Sequence, residues 1–331
     1  MEKEAITVIG AGSWGTALSC ALARNGHTVH LWGRDHQHMK QLKQSQCNEK
    51  HLPGLKLADN INCHEHLAEA VEASGALVIA VPSHAFASSL RAVKSHITHY
   101  TDIISASKGV SDESLFLDQV CANVLSTEQP FAVISGPSFA KEVAQGLPTA
   151  ITIASSDKDH AARWVERFHQ DNFRTYTNHD VIGTQIGGTV KNVMAIAAGI
   201  ASGLGYGANA QAALITRALA EIMRFGLALG AKAETLMGLT GLGDLVLTCS
   251  DNQSRNRRFG LALGQGKTPE QAEKVIAQAV EGYHNARQVY QLASKLDIDT
   301  PIINQVYRVL YENLPIQQAV QELFARAPKS E

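Results

Sequence analysis

The chain has 331 residues, 45% hydrophobic and 18% charged, a balance that excludes a disordered polymer and leaves room for two cored domains. With 29 basic and 31 acidic residues the net charge is −2, so no global field draws a polyanion, and a nucleic-acid partner is not expected. No apolar run approaches the ~20 residues that cross a bilayer, and five scattered cysteines without a CxxC pair suit free thiols. The N-terminus lacks the layout of a secretion signal, so a cytoplasmic protein without membrane insertion is expected.

Short apolar runs open the chain: "AITVIG" (5–10), "TVHLW" (28–32), "ALVIAV" (76–81), "DIISAS" (102–107) and "FAVIS" (131–135). They are β-rich throughout, as strands buried on both faces should be. Helical segments lie between most of them, which implies βαβ units and a mostly parallel, doubly wound sheet of the Rossmann type. "TAITIASS" (149–156) and "FRTYTN" (173–178) extend that sheet with a change of strand direction, the helical "DHAARWVERFHQ" lying between them. "NCHEH", with Cys63, His64 and His66, is expected as a solvated loop or helix start; like His36 and His38 it lacks the second half of a metal site, and no metal is expected.

From about Gly183 the texture becomes helical, rich in alanine and leucine, with Pro269, Pro301 and Pro315 near helix starts. The division expected is a dinucleotide-binding domain over 1–183 and an all-α C-terminal domain over 184–331, with a ligand cleft between them. The apolar helical half is compatible with a homodimer and equally with a monomer.

Within this frame, "VIGAGSWGTAL" places Gly10, Gly12 and Gly15 as GxGxxG between the first strand and the first helix. Gly10 permits the tight turn, Gly12 a close approach of pyrophosphate, and Gly15 close packing of helix on strand. The second strand ends "LWGRD". Arg34 there favours NADP(H) by receiving a 2′-phosphate, and Asp35 keeps NAD(H) open.

A second set of polar residues stands in apolar or glycine-rich surroundings. Lys108 and "SGPSFA", with Gly136 and Ser138, follow buried strands at the end where open α/β sheets bind ligands. Lys191 sits in "IGGTVKNVMAIAAG", a helix apolar nearly all round, and Asp244 is a lone carboxylate in "GLTGLGDLVL". Desolvation lowers a lysine's pKa toward the range of proton transfer; a structural buried ion pair between the two is the competing explanation. "SRNRR" (254–258) concentrates three arginines, enough to grip one small phosphate. Arg257 and Arg258 are expected to turn to acidic neighbours or solvent.

Taken in order, "GAGSWGTAL", "SASKG", "ISGPSFAKEV", "KNVMAIAAGI", "GLTGLGDLVLTC" and "SRNRRFG" resemble the bacterial soluble NAD(P)-dependent glycerol-3-phosphate dehydrogenases, nearly end to end. The resemblance implies reduction of dihydroxyacetone phosphate to sn-glycerol 3-phosphate for phospholipid synthesis, with Lys191 as proton donor and acceptor. It implies a substrate site of Lys108, Gly136, Ser138, Lys191, Asp244, Ser254, Arg255 and Asn256. It implies cofactor contacts from Ser13, Trp14, Arg34, Lys108, Ala140, Arg255, Ala279 and Glu281, beside the three glycines. A hydroxyacid dehydrogenase of the same architecture would share the glycine loop and the lysine but would not need the arginine loop. A non-catalytic NADP-binding regulator would let the second set decay.

Overall fold

A computed structural model describes residues 3–111, 113–276 and 278–326. The chain divides into two compact units, Met1–Ser111 with Leu115–Gln185, and Asp112–Ser114 with Ile186–Glu331.

The first unit alternates strands and helices. Its order is β1 (Ala5–Ile9), α1 (Ser13–Arg24), β2 (Thr28–Trp32), α2 (His36–Ser45), β3 (Ile61–His64), α3 (Leu67–Glu72), β4 (Ala76–Ile79) and α4 (Ser83–Val93), then β5 (Asp102–Ser105) and α5 (Leu117–Val124). The remainder is β6 (Phe131–Ser135), α6 (Ala140–Gln145), β7 (Thr149–Ala154), α7 (Lys158–Phe168) and β8 (Phe173–Asn178). The eight strands form one sheet in the order β3-β2-β1-β4-β5-β6-β7-β8. Every neighbouring pair is parallel except β6 and β7, so the expected change of direction occurs at that step. The order reverses between β1 and β4, and the switch point leaves a crevice outside their carboxyl ends.

Burial explains the apolar runs. Ile6, Val8, Leu31, Val78 and Ile104 face one core, joined by Trp164, Phe168 and Phe173, while Ile9, Leu77, Ile79 and Ile103 face the other. Each such side chain contributes about 1.5–3 kcal/mol by leaving water. One expectation is corrected: Asn62–His64 of "NCHEH" are not a solvated loop but belong to the edge strand β3. It pairs with β2 alone, buries Ile61 and Cys63, and leaves Asn62 exposed. Half-buried alternation over four residues is too short to stand out as a strand. His66 does stand at a helix start, preceding α3.

The second unit is helical. It comprises most of α8 (Val181–Gly203), then α9 (Ala208–Ala228), α10 (Ala233–Met237), a π turn (Leu239–Gly243), α11 (Asp244–Ser250) and α12 (Arg255–Gly264). α13 (Pro269–Ile276), α14 (Glu281–Lys295), α15 (Pro301–Tyr311) and α16 (Ile316–Phe324) complete it. α8 starts at Val181, three residues before the expected boundary, where the Asp180 carboxylate accepts the Gly183 amide at 2.8 Å. No helix among the described residues is long and apolar enough to cross a membrane.

α8 and α12 touch backbone to backbone. A Cβ on Gly199 would stand 2.0 Å from the Arg257 carbonyl oxygen, and one on Gly260 would stand 2.0 Å from that of Ile196. Only glycine permits this approach, which draws the start of α12 against the helix that carries Lys191.

Glu221 on α9 is 1% exposed, and its carboxylate accepts the Ile302 and Ile303 amides at the start of α15. Burial pushes its carboxyl up to about 7. A carboxyl raised in the folded state binds its proton more tightly there than in the unfolded chain. Its contribution is therefore full below the ordinary carboxyl range and lost as pH rises through about 7. Thermal melts of wild type and Glu221→Gln should diverge across that window, the variant showing the flatter profile; parallel profiles would contradict the assignment.

Candidate active site

The loop from β1 to α1 has the geometry that a dinucleotide's phosphates require. Gly10 has φ +118°, and a Cβ there would meet the Ala80 carbonyl oxygen at 2.4 Å. A Cβ on Gly15 would lie 1.8 Å from the Gly10 carbonyl oxygen, so α1 sits directly on the turn. Around Gly12 a Cβ would meet nothing within 4 Å. Gly12 is also the N-cap of α1 and no side chain caps that helix, so its first amides and positive dipole end remain for an anion. These features fit a pyrophosphate. The Ser13 hydroxyl donates to the His51 carbonyl at 2.9 Å. Trp14 packs on the core, and Lys108 Nζ lies 6.0 Å from its ring centroid.

β2 ends at Trp32, and Gly33 is packed on Ala11 and Met39, where a Cβ would be 2.9 Å from the Ala11 Cβ. Arg34 is exposed and has no hydrogen bond or ion pair among the described residues. Asp35 is already engaged: its carboxylate caps α2 through the His38 amide at 3.1 Å and pairs with Lys50 at 3.3 Å. Those bonds hold its carboxyl below the usual carboxylate range. A ribose hydroxyl would have to compete with both partners, which weighs on the side of Arg34 and a 2′-phosphate.

Lys108 lies in the loop after β5, half-buried. Nζ donates to the Gly136 carbonyl at 3.4 Å, and the Ser138 hydroxyl donates to the same oxygen at 2.8 Å. Gly136 has φ +143°, with a Cβ position 3.1 Å from the Ile151 Cα, so the β6 end can bend only with glycine there. Ala140 opens α6, half-buried against the core.

In the helical unit, Lys191 is 6% exposed and Asp244 1%. Lys191 Nζ donates to Asp244 Oδ1 at 2.6 Å and to Thr248 Oγ1 at 2.9 Å. The π turn Leu239–Gly243 delivers Asp244 as the first residue of α11, and Thr248 follows one turn later on the same face. Thr248 is the residue missed at the sequence level; the i, i+4 spacing from Asp244 would have found it had "GDLVLTC" been taken as a helix. Burial pushes the neighbouring Cys249 thiol up to about 12, so it stays protonated.

The arginine loop divides its labour. Ser254 caps α12, its hydroxyl accepting the Arg257 amide at 3.2 Å. The Asn256 side chain donates to Asn192 Oδ1 and accepts the Gly282 amide, both at 2.9 Å, and so ties the loop to the residue beside Lys191. Arg257 corrects an expectation: it is buried, and it donates to the Cys249 carbonyl at 2.8 Å, to Asn252 and to the Ser202 hydroxyl at 3.0 Å. Its partners are a carbonyl and neutral side chains, not acids. Arg258 is exposed. Arg255 is half-buried and has no hydrogen bond or ion pair among the described residues. Ala279 is exposed just before α14, and Glu281 is that helix's first residue.

The structure therefore assembles two sets. One holds Gly10, Gly12, Gly15, Trp14 and Arg34, with Lys108, Gly136 and Ser138; the other holds Lys191, Asp244, Ser254, Arg255 and Asn256. Among the described residues no group of His, Cys, Asp and Glu is disposed to hold a metal ion.

Residues 5–161 match the family described as NAD-dependent glycerol-3-phosphate dehydrogenase N-terminus, and residues 180–321 match its C-terminus. The chain is similar to a glycerol-3-phosphate dehydrogenase (NAD(P)+) of Bartonella tribocorum, 50% identical over 333 residues and covering 100% of both chains. It is 52% identical over 328 residues to the one of Colwellia psychrerythraea, covering 98% of each. A solved glycerol-3-phosphate dehydrogenase from Coxiella burnetii superposes with a TM-score of 0.95 at 47% identity, covering 98% of this chain and 99% of the other.

Proposed function

The chain belongs to the NAD-dependent glycerol-3-phosphate dehydrogenase family, and on that premise we propose that it interconverts dihydroxyacetone phosphate and sn-glycerol 3-phosphate with Lys191 as the proton donor and acceptor. The observation that carries the assignment is the buried Lys191–Asp244–Thr248 cluster, tied through Asn192 and Asn256 to the loop that presents Arg255. A merely structural pair would not need to be tied to a loop that carries an unpaired guanidinium.

The reduced nicotinamide, when bound, supplies a hydride to the ketone carbon. NADP(H) is favoured, because Arg34 is unpaired and Asp35 is committed, with NAD(H) as the weaker substitute. Gly12 keeps a side chain out of the pyrophosphate's path, Gly10 and Gly15 keep the turn packed tightly on Ala80 and α1, and the first amides of α1 are left for its charge. Ser13, Trp14 and Ala140, with Ala279 and Glu281, are proposed to complete that contact. Lys191 holds its ammonium beside the substrate's C2 oxygen, stabilises the charge that grows there, and gives it a proton. Asp244 accepts from Lys191 Nζ and fixes its direction, and Thr248 Oγ1 accepts a second of its N–H bonds. In the reverse direction the amine accepts the hydroxyl proton.

Arg255 can grip the remote phosphate with two parallel bonds, and Ser254 and Asn256 place it. Lys108, with Gly136 and Ser138, is proposed to line the three-carbon body. Phosphate binding then supplies orientation for a small substrate. Loss of reduced-cofactor absorbance with dihydroxyacetone phosphate, but not with dihydroxyacetone, tests this reading. Arg255→Ala should raise the KM for dihydroxyacetone phosphate about 10- to 100-fold, as removal of charge-assisted hydrogen bonds does, with a smaller change in kcat. An unchanged KM would move the phosphate elsewhere. Supply of glycerol 3-phosphate to phospholipid synthesis in the cytoplasm, and assembly as a homodimer, belong to the same proposal.

A further inference from the structure

We propose that His36 and His66 join Arg34 in receiving the 2′-phosphate of NADP(H). The inference rests on the dinucleotide reading above and extends it to two residues that composition alone assigned to solvent.

β2 and β3 run parallel with Trp32 opposite His64, so the connections that follow them leave the same edge of the sheet. Arg34 lies in the first connection, His36 opens α2 directly after it, and His66 lies in the second connection. The two imidazoles meet edge to face, ring centroids 5.6 Å apart at 64°. Both are exposed, and neither has a hydrogen bond or ion pair among the described residues. A Rossmann fold presents the end of β2 to the adenosine ribose, and a parallel neighbour brings the loop after β3 beside it.

The nearby carboxylates do not claim these rings. Asp35 is taken by the His38 amide and Lys50, and Glu69 lies 3.7 Å from His64. Glu65, the residue before His66, is the remaining acid of that connection. A phosphate monoester offers three acceptor oxygens and close to two negative charges at neutral pH. Each imidazole offers an N–H in either protonation state, and a second with positive charge when protonated. A guanidinium and two imidazoles thus match the three oxygens, while a bare 2′-hydroxyl would use little of the set.

Neither side chain is needed to end its helix. Asp35 caps α2, and the His66 side chain makes no cap bond to α3, so alanine at either place should leave the fold intact. The test is calorimetric titration of the full chain with 2′,5′-ADP and with ADP, in wild type, Arg34→Ala, His36→Ala and His66→Ala, with a melting curve for each. The expected result is tighter binding of 2′,5′-ADP by wild type, weakened roughly 5- to 10-fold by either histidine variant, with ADP affinity and melting temperature unchanged. If Arg34→Ala loses the preference while both histidine variants keep it, the histidine assignment fails and the NADP(H) reading stands. If wild type binds the two nucleotides equally, both fail. Equal weakening of both nucleotides would make the histidines structural and also overturn the proposal.

Discussion

Lys191→Met should lower kcat by about three to four orders of magnitude, the upper range for a positioned proton donor that also stabilises a growing charge, while NADPH still binds. The same change leaves Asp244, 1% exposed, without its 2.6 Å partner. Breaking a buried pair from one side typically costs about 3–5 kcal/mol, so the single variant should also melt much earlier. The two effects separate in Lys191→Met/Asp244→Asn, which removes the stranded charge. Most of the lost stability should return, and turnover should not. A double variant that recovers turnover with stability would make the pair structural and remove Lys191 from the chemistry.

The second large effect is a contrast within one loop. Gly15→Ala drives a Cβ to 1.8 Å from the Gly10 carbonyl oxygen, a backbone clash that no side-chain adjustment relieves. It should destabilise the dinucleotide-binding unit by about 3 kcal/mol, the upper range for overpacking. Gly12→Ala meets nothing within 4 Å, and Gly12 has φ −76°, which any residue adopts. Its stability should stay within about 0.5 kcal/mol of wild type. Its NADPH affinity should fall about 10- to 100-fold as the pyrophosphate loses one or two charge-assisted hydrogen bonds. Calorimetry on both variants checks this. Undiminished binding in Gly12→Ala would mean that the phosphates pass elsewhere.

Much of the fold is legible because burial on both faces writes continuous apolar runs. β1, β4, β5 and β6 appear in the sequence this way, and the half-buried β2 through its β-rich residues, with ends displaced by two residues at most. β3 escapes because an edge strand of four residues has one neighbour and one buried face. α11 escapes because its entry is a π turn of glycines, Leu239–Gly243, with no capping residue to announce it. That hid Thr248, although Asp244 itself stood out as a charge in apolar surroundings.

The site is legible in its residue types but not in its division of labour. The sequence sets Arg255 apart from Arg257 and Arg258 but does not show what Arg257 turns to. In the fold Arg257 turns inward to Cys249 and Ser202, while the Arg255 guanidinium is unpaired among the described residues. At the end of β2 the sequence favours Arg34 while leaving Asp35 open, and the cap that Asp35 gives α2 adds weight to Arg34. Helix capping and long-range packing decide such cases, and neither has a local signature strong enough to be counted along the chain.

The central claim is that this chain reduces the ketone of a three-carbon phosphate. Loss of absorbance of NADPH and of NADH, followed in parallel on adding dihydroxyacetone phosphate, tests it most directly. The account predicts rapid oxidation of NADPH, slower oxidation of NADH, and no oxidation by the Lys191→Met/Asp244→Asn protein. Wild-type protein that binds NADPH and oxidises neither cofactor would contradict it.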